Sequence, residues 1–348
     1  MRVSTLLFEA TWRCSQRCRF CYNAWRGPAP APALPPELST RATVALLRKA
    51  LRESGARQVG FTGGEPLLRP DLLDLVAAVR MAGADASVLT NGALLEPALA
   101  RDLKAVGCGL VQLTLCGTSA PVHDALCGQG TFDGVGAALD AAQGAGLAVS
   151  LTFVATRPNL PDAAATVRWA ATHGVTQLLL NRYNTGGCGL AEPDGGDALL
   201  PTLAELSAAL CEVDAAAAAT GVGVSVSVPV MPCLLDATRF PHLGLAQGCA
   251  AGTPDAYFTL DPWGRVRFCN HTPTVLGDLC AAPFGAIAAS PRLAAVRAAR
   301  PPFCVPCPGW DACRGGCRAA AEQAVGRWDA EDPFLAACLA RGEVQPPG

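Results

Sequence analysis

The sequence is poor in charge and contains no long apolar run. Charged residues make up 16% of its 348 residues, and 27 basic against 29 acidic side chains leave a formal net charge of −2. Proteins that bind nucleic acid neutralise phosphates with clustered Lys and Arg, and no such cluster interleaved with aromatic residues is present. No stretch reaches eighteen consecutive apolar residues, and the segment before Cys14 has no signal-like apolar core. We therefore expect a soluble cytoplasmic protein that binds neither nucleic acid nor a membrane.

Cysteine, by contrast, is abundant. The chain has 17 cysteines, an odd number, and it is long and carries no secretion signal, a setting in which disulfides are rare. Metal ligation is therefore the leading explanation for the cysteines that cluster. Isolated cysteines commonly behave as small buried apolar residues, which is what we expect of Cys108, Cys211 and Cys280.

The first half of the chain alternates short β-rich runs with helical patterns, which is typical of βα units around a parallel sheet. The predicted strands are Leu6–Ala10, Gln58–Thr62, Ala86–Thr90, Leu110–Leu115, Ala148–Val154 and Gln177–Asn181. Six units in about 180 residues fit a partial, TIM-like (β/α)6 barrel of the α/β class, with its mouth at the carboxyl ends of the strands. The composition changes near Gly248, so we predict a barrel domain at residues 1–225 and a small cysteine-rich domain at residues 226–348. The Pro/Ala-rich run Gly27–Pro36 is interpreted as a stiff surface spacer.

Three cysteines follow the first predicted strand directly, in the stretch CSQRCRFCY. They are Cys14, Cys18 and Cys21. A cubane iron–sulfur cluster held by three thiolates retains one iron without a protein ligand, and that iron can bind a small molecule. The motif GGEP follows the second strand, where glycines expose backbone polar groups and Glu65 can pair with an ammonium group. The motif TNG ends the third strand.

The spacing C-x3-C-x2-C after the first strand of a partial barrel resembles the radical S-adenosylmethionine (SAM) superfamily. In that family the methionyl amine and carboxylate of SAM bind the open iron of a 4Fe-4S cluster, and an electron from the cluster cleaves SAM to a 5'-deoxyadenosyl radical. By this resemblance Cys14, Cys18 and Cys21 hold the cluster. The implied SAM contacts are Gly63, Gly64, Glu65 and Pro66 at the amine, Thr90 and Asn91 at the ribose, and Phe20, followed by Tyr22, at the adenine.

The fourth predicted strand departs from the pattern of the family. Similar sequences commonly read S-L-D-G and then H-D-x-x-R-G, whereas this chain reads TLCG and HDALCG. Thr114 keeps the hydroxyl that meets the methionyl carboxylate, but the expected Asp and Arg have become Cys116 and Cys127. Losing both charges together leaves no unpaired buried ion. We hypothesise that the two thiols face one another, the alternative being two unrelated buried thiols, and Arg182 is a possible substitute for the lost guanidinium.

A second group of cysteines lies near the C-terminus. Its members are Cys249, Cys269, Cys304, Cys307, Cys313, Cys317 and Cys338. Four of these thiols fall within the stretch CVPCPGWDACRGGC, which is too dense for a core pattern and would otherwise leave a reactive surface. On local chemistry alone, zinc and iron–sulfur clusters both suit such thiolate-rich sites.

With the N-terminal triplet, this array resembles the seven-cysteine SPASM extension of radical SAM enzymes, which holds two auxiliary 4Fe-4S clusters and brings the total to three. The resemblance assigns Cys249, Cys269 and Cys317 to the first auxiliary cluster. It assigns Cys304, Cys307, Cys313 and Cys338 to the second. Some relatives add a cysteine where Asp255 stands here, so the first cluster has either an open iron or a fourth ligand from Cys233, Cys280 or His271.

The resemblance implies an oxidoreductase that abstracts hydrogen from a ribosomally synthesised peptide, crosslinking or oxidising it. A tetrapyrrole or another small molecule is the alternative substrate, and a non-catalytic electron-transfer or zinc-binding protein is the alternative from another class. An electron donor such as flavodoxin or ferredoxin is implied as a partner. Only thirteen residues precede Cys14, so we expect peptide recognition by the barrel mouth, by the Leu190–Pro201 region, or by a separate leader-peptide-binding protein.

Overall fold

A computed structural model describes residues 3–28, 35–246, 248–253 and 256–345. Asp255 and residues 29–34 of the predicted spacer lie outside this part of the chain. The strands are β1 (Thr5–Thr11), β2 (Gln58–Gly63), β3 (Asp85–Thr90), β4 (Leu110–Thr114), β5 (Ala148–Ala155), β6 (Gln177–Arg182), β7 (Gly223–Val226), β8 (Leu243–Leu245), β9 (Phe258–Leu260), β10 (Arg265–Arg267) and β11 (Val275–Asp278). The six predicted strands correspond to β1–β6, each within one or two residues, which confirms the partial barrel.

Helices separate the strands of the barrel and continue into the C-terminal region. They are α1 (Thr40–Ser54), α2 (Leu72–Met81), α3 (Pro97–Ala105), α4 (Ala120–Cys127), α5 (Thr131–Gly144), α6 (Ala163–Thr172), α7 (Gly187–Leu190), α8 (Leu203–Thr220), α9 (Phe284–Ala288), α10 (Pro291–Ala298), α11 (Trp310–Cys313), α12 (Arg318–Val325) and α13 (Pro333–Ala340). In the described part of the chain, no helix combines the length and apolar character needed to cross a bilayer.

All eleven strands belong to one sheet, in the order β11-β10-β9-β1-β2-β3-β4-β5-β6-β7-β8. The pairs from β1 to β8 are parallel, and consecutive strands are neighbours, as expected when each helix returns the chain to the next position. The C-terminal region joins the free edge of β1 through β9, which runs parallel to it, with β10 and β11 following antiparallel. The carboxyl ends of β1–β6 therefore share one edge, where the loops carrying the predicted motifs meet.

Buried side chains from both regions form one hydrophobic core. Within the barrel, Phe8 of β1 and Phe61 of β2 pack edge to face with ring centroids 6.0 Å apart, a favoured aromatic geometry. The prediction that isolated cysteines are buried holds for Cys108 but is wrong for Cys211 and Cys280, which are exposed. Cys211 lies on the solvent face of α8, and Cys280 lies in the turn after β11, so neither position faces the core.

Candidate active site and cysteine sets

A cavity of about 480 Å³ opens at the carboxyl ends of the barrel strands. Its volume falls within the range of small-molecule sites. It brings together most of the predicted site residues, namely Cys14, Cys18, Phe20, Cys21, Tyr22, Gly63, Gly64, Thr90, Asn91, Thr114 and Arg182. The described residues that line it do not include Glu65 and Pro66.

The two glycines of the GGEP motif allow the cysteine loop to pack against the end of β2. A Cβ atom on Gly63 would lie 2.3 Å from the carbonyl oxygen of Thr11, and one on Gly64 would lie 2.1 Å from that of Arg13. The backbone N–H of Gly64 donates to Thr11 O at 2.8 Å, and that of Glu65 donates to Arg13 O at 2.8 Å. Any side chain at residue 63 or 64 would therefore push the cysteine loop away from the sheet.

Glu65 is buried, and its carboxylate binds residues of the TNG motif. Its carboxylate accepts hydrogen bonds from Thr90 Oγ1 at 2.7 Å, Asn91 N at 2.9 Å and Leu67 N at 3.0 Å. Burial raises its pKa, although these hydrogen bonds act in the opposite direction. Glu65 thus holds Thr90 and Asn91 at the cavity wall, while its pairing with an ammonium group stays a prediction.

The thiols of Cys127 and Cys188 contact predicted cluster ligands. The sequence did not assign Cys188 to the site, and it placed Cys127 there only as a hypothesis. The Cys18 thiol donates to Cys127 O at 4.0 Å, the Cys127 thiol interacts with those of Cys116 and Cys18, and the Cys188 thiol interacts with that of Cys21. Cys116 and Cys127 are buried, and the interaction with Cys116 raises the pKa of Cys127 well above its usual value. Cys127 therefore lies next to the triad, and the interaction between its thiol and that of Cys116 supports the hypothesis that the two face one another.

Cys188 and Arg26 were missed by sequence reasoning. Cys188 N donates to Cys21 O at 2.7 Å, and the Arg26 guanidinium donates to Gln16 O at 2.5 Å and interacts electrostatically with the Cys14 thiol. The sequence feature that could have indicated a role for Cys188 is the run of glycines around it. A Cβ atom on Gly187 would lie 2.3 Å from Cys21 O, so only glycine permits this approach.

Arg182 lines the cavity, but its guanidinium is bound mainly by protein. Its Nη2 atom lies 2.7 Å from Asp332 Oδ2, in an ion pair whose side chains are 1% and 0% exposed. Its Nε donates to Pro229 O at 3.0 Å, and the ring of Phe334 lies 5.0 Å from its Cζ. Asp332 also accepts from Cys317 N at 2.7 Å. Arg182 therefore joins β6 to the C-terminal cysteine region, and its predicted contact with the SAM carboxylate stays a prediction.

In the first C-terminal set, the thiols of Cys249 and Cys317 interact electrostatically with that of Cys269, and Cys317 contacts the cavity-lining residue Asn184. Asn184 Nδ2 donates to Cys317 Sγ at 3.1 Å and contacts His271 Nδ1 at 2.6 Å. His271 stacks on Tyr22 with ring centroids 4.0 Å apart, and burial lowers its pKa to about 4.

His271 is thus the one proposed fourth ligand that lies near this first set. Cys280 is exposed, and its thiol contacts Trp263 O at 3.7 Å. Cys233 lies instead with Cys304, Cys307 and Cys313. The described contacts of Cys233 and Cys280 are thus with other groups, and the suggestion that either completes the first set stays a prediction.

Gln323 of α12 connects the C-terminal region to the cysteine loop. Its Nε2 donates to Tyr22 O at 2.8 Å and to His271 O at 2.5 Å, and its Oε1 accepts from Gly187 N at 2.9 Å. Three segments that are distant in sequence are therefore held by one side chain. A separate ion pair between Arg19 and Glu192, at 2.7 Å, holds the Leu190–Pro201 region against the same loop.

Gln323→Ala is expected to raise amide hydrogen exchange about tenfold in residues 14–26 and 186–190. The reason is that the substitution removes the hydrogen bonds of Gln323 with Tyr22 O and Gly187 N, each worth about 1 kcal/mol, from these two segments. Exchange measured by mass spectrometry tests this, with Gln143→Ala as the matched control, because Gln143 Nε2 donates only to His173 O at an exposed site. Unchanged exchange in the cysteine loop would show that Gln323 is not its main anchor.

The donor set of the cavity fits a SAM-bound iron–sulfur cluster. Three thiols stand at one wall, backbone and hydroxyl groups stand at the others, and Asn184 Oδ1, on a lining residue, is buried without a protein partner among the described residues. A buried polar atom of this kind ordinarily has a partner. In the described part of the chain, no three His, Cys, Asp or Glu side chains are placed to hold a single metal ion. The thiols of Cys14, Cys18 and Cys21 line the cavity and do not converge on one metal ion.

Comparison with known proteins agrees with this geometry. Residues 9–170 match the family model described as the Radical SAM superfamily. Over 204 residues the chain is 34% identical to a PqqA peptide cyclase from Streptomyces rochei, which covers 59% of this chain and 54% of that protein. The chain thus spans about half the length of this curated relative.

Two solved structures share the fold. Streptococcus suis SuiB bound to the precursor peptide SuiA superposes with a TM-score of 0.73 and 15% identity, covering 95% of this chain and 75% of that one. The structure titled anSMEcpe with bound AdoMet gives a TM-score of 0.72 and 16% identity, covering 98% and 96%. These likenesses agree with the parallel open barrel described above. Residues 9–170, which span most of the barrel, thus match the Radical SAM superfamily.

Proposed function

We propose that the chain is a radical SAM enzyme that modifies a ribosomally synthesised peptide, crosslinking or oxidising it after hydrogen abstraction. The observation that carries the proposal is that the cysteine triad, both GGEP glycines, Thr90, Asn91 and Thr114 line one cavity. When bound, the 4Fe-4S cluster and SAM supply a 5'-deoxyadenosyl radical. Cys14, Cys18 and Cys21 hold the cluster, and cysteines of the C-terminal region hold two auxiliary clusters within a domain at residues 226–348.

The chain's own residues bind and orient SAM. The Gly63 and Gly64 backbone lies beside the triad, where the methionyl amine is expected, and Thr114 stands opposite on β4. Glu65 fixes Thr90 and Asn91 for the ribose through the hydrogen bonds described above. Phe20 is buried and supplies an apolar surface for the adenine. These residues would hold the reactive end of SAM within the cavity and limit its contact with bulk water.

A peptide is the substrate class that the surroundings support. The relative from Streptomyces rochei is named a PqqA peptide cyclase, and SuiB was solved with a precursor peptide. The lining carries neutral hydrogen-bonding groups, including Gln112, Asn181, Asn184 and Ser227, and the charged residues among those described are Arg26 and Arg182. Both guanidinium groups already have protein partners, so the carboxylates of a tetrapyrrole would meet no free cation here. A flavodoxin or ferredoxin as electron donor and a separate leader-peptide-binding protein complete the proposal.

Anaerobic reconstitution with SAM and a strong reductant is expected to yield 5'-deoxyadenosine, and a bound iron content of about twelve per chain. Cys18→Ala should abolish the product because the triad then supplies two thiolates. Candidate peptides encoded beside the gene are then screened by mass spectrometry for a loss of hydrogen that depends on SAM. Absence of 5'-deoxyadenosine, or about three zinc ions in place of iron, would reject the proposed reaction, whereas 5'-deoxyadenosine without any modified peptide would reject the substrate class alone.

A further inference from the structure

A small cavity of about 40 Å³ lies within the C-terminal region, and four thiols line it. They belong to Cys233, Cys304, Cys307 and Cys313. The Cys233 thiol interacts electrostatically with each of the other three. Four convergent thiols are the donor set of a closed iron–sulfur site. The sequence assigned three of these residues to the second auxiliary cluster but placed Cys233 elsewhere.

Cys233 lies on a turn between β7 and β8 that is fixed from both sides. Val230 N donates to Ala246 O at 2.9 Å, and Leu234 N donates to Met231 O at 2.9 Å, which closes the turn. The preceding carbonyl, of Pro229, accepts from Arg182 Nε. Because Arg182 also pairs with Asp332, which binds Cys317 N, the turn is tied to the same framework as the cysteine array. The approach of Cys233 to the other thiols is thus built into the fold.

Cys338, the fourth ligand implied by resemblance, is placed differently. It is fully buried on α13, and its thiol hydrogen-bonds with the Glu343 carboxylate. Leu335, one helical turn earlier, lines the four-thiol cavity, but Cys338 is not among the described residues that do so. The side chain that faces the cavity from α13 is therefore apolar.

We propose that Cys233 is a ligand of the second auxiliary cluster, together with Cys304, Cys307 and Cys313, and that Cys338 has a packing role; this rests on the proposed iron–sulfur chemistry of the chain. The consequence is that the cluster joins the end of the barrel sheet to the C-terminal region. Since Cys233 is exposed, the cluster also lies at the protein surface. That position suits electron exchange with a partner protein.

The test compares Cys233→Ala, Cys338→Ala and the control Cys211→Ala, in which another exposed thiol is removed. Iron per chain and the electron paramagnetic resonance of the reduced clusters are measured after anaerobic purification. We expect Cys233→Ala to lose about four irons and one set of cluster signals, while Cys338→Ala and Cys211→Ala keep the wild-type iron content. Full iron in Cys233→Ala, or loss of iron in Cys338→Ala with an unchanged thermal unfolding midpoint, would overturn the assignment.

If Cys233→Ala does not fold, Cys233→Ser is used instead. An oxygen ligand is expected to retain iron but shift the g-values of one cluster, and unchanged g-values would overturn the assignment. A wild-type chain that binds no iron and forms no 5'-deoxyadenosine would contradict the proposed function itself. The wild-type chain can instead have full iron and form 5'-deoxyadenosine while substitution of Cys233 leaves the cluster spectra unchanged. That result would contradict only this inference.

Discussion

Gly64→Ala is expected to lower the rate of 5'-deoxyadenosine formation by about 100-fold, although the substitution adds a single methyl group. The new Cβ atom would lie 2.1 Å from Arg13 O, 2.6 Å from Arg13 C and 2.9 Å from Trp12 O. These are backbone atoms, which cannot rotate away, so the loop that carries Cys14 must shift by about 1 Å. A misplacement of that size around reacting groups costs about 100-fold. The rate is measured with excess SAM and reductant.

The matched control is Gly134→Ala in α5. A Cβ atom there meets nothing within 4 Å, and glycine within a helix is less stable than alanine by about 0.5–1 kcal/mol. We therefore expect Gly134→Ala to have wild-type activity and a slightly higher unfolding midpoint. Wild-type activity in Gly64→Ala as well would show that the cysteine loop does not depend on its close contact with the second strand.

The six strands of the barrel were predictable because each is a run of apolar residues bounded by turn residues and followed by a helical pattern. The motifs could be placed at the mouth for the same reason, since parallel strands end at one edge. Strands β7–β11 were not predicted. They are three or four residues long, which is too short for a periodic signal, and β9 is defined by its pairing with β1 in the folded chain.

The site shows where sequence reasoning stops. Spacing identified the residues Cys14, Cys18 and Cys21, but it carried no information on which distant side chains contact them. Cys188 reaches Cys21 only because glycines on either side allow α7 to pack against the cysteine loop. Likewise, nothing in the sequence indicated that the Glu65 carboxylate accepts hydrogen bonds from Thr90 and Asn91. The direction in which a side chain points depends on neighbours that are remote in sequence, whereas its position along a strand can be predicted from the local sequence.

Asp332→Ala is expected to destabilise the protein by about 3–5 kcal/mol, because it leaves the buried Arg182 guanidinium without its counter-ion. The same carboxylate accepts from Cys317 N and Phe334 N, at 2.7 and 2.8 Å, so its loss also frees two buried backbone donors. The free energy of unfolding, from denaturant titration, measures the effect. Asp329→Asn, which breaks the exposed Arg327 pair, serves as the control and should leave the unfolding midpoint unchanged.

The double variant Arg182→Met, Asp332→Leu separates the structural role of this pair from cofactor binding. Replacing both ions with apolar residues of similar volume removes the unpaired charge, so we expect most of the stability lost in Asp332→Ala to return. Failure of the double variant to recover would show that the two backbone hydrogen bonds of Asp332, and not its charge, hold β6 to the C-terminal region.

Because Arg182 also lines the cavity, the SAM affinity of this stable variant tests the predicted contact of Arg182 with the SAM carboxylate. We expect the SAM affinity to fall roughly tenfold, because a single charge-assisted hydrogen bond is lost. An unchanged affinity would leave Arg182 with a purely structural role, and Thr114 would be the remaining predicted contact of the carboxylate.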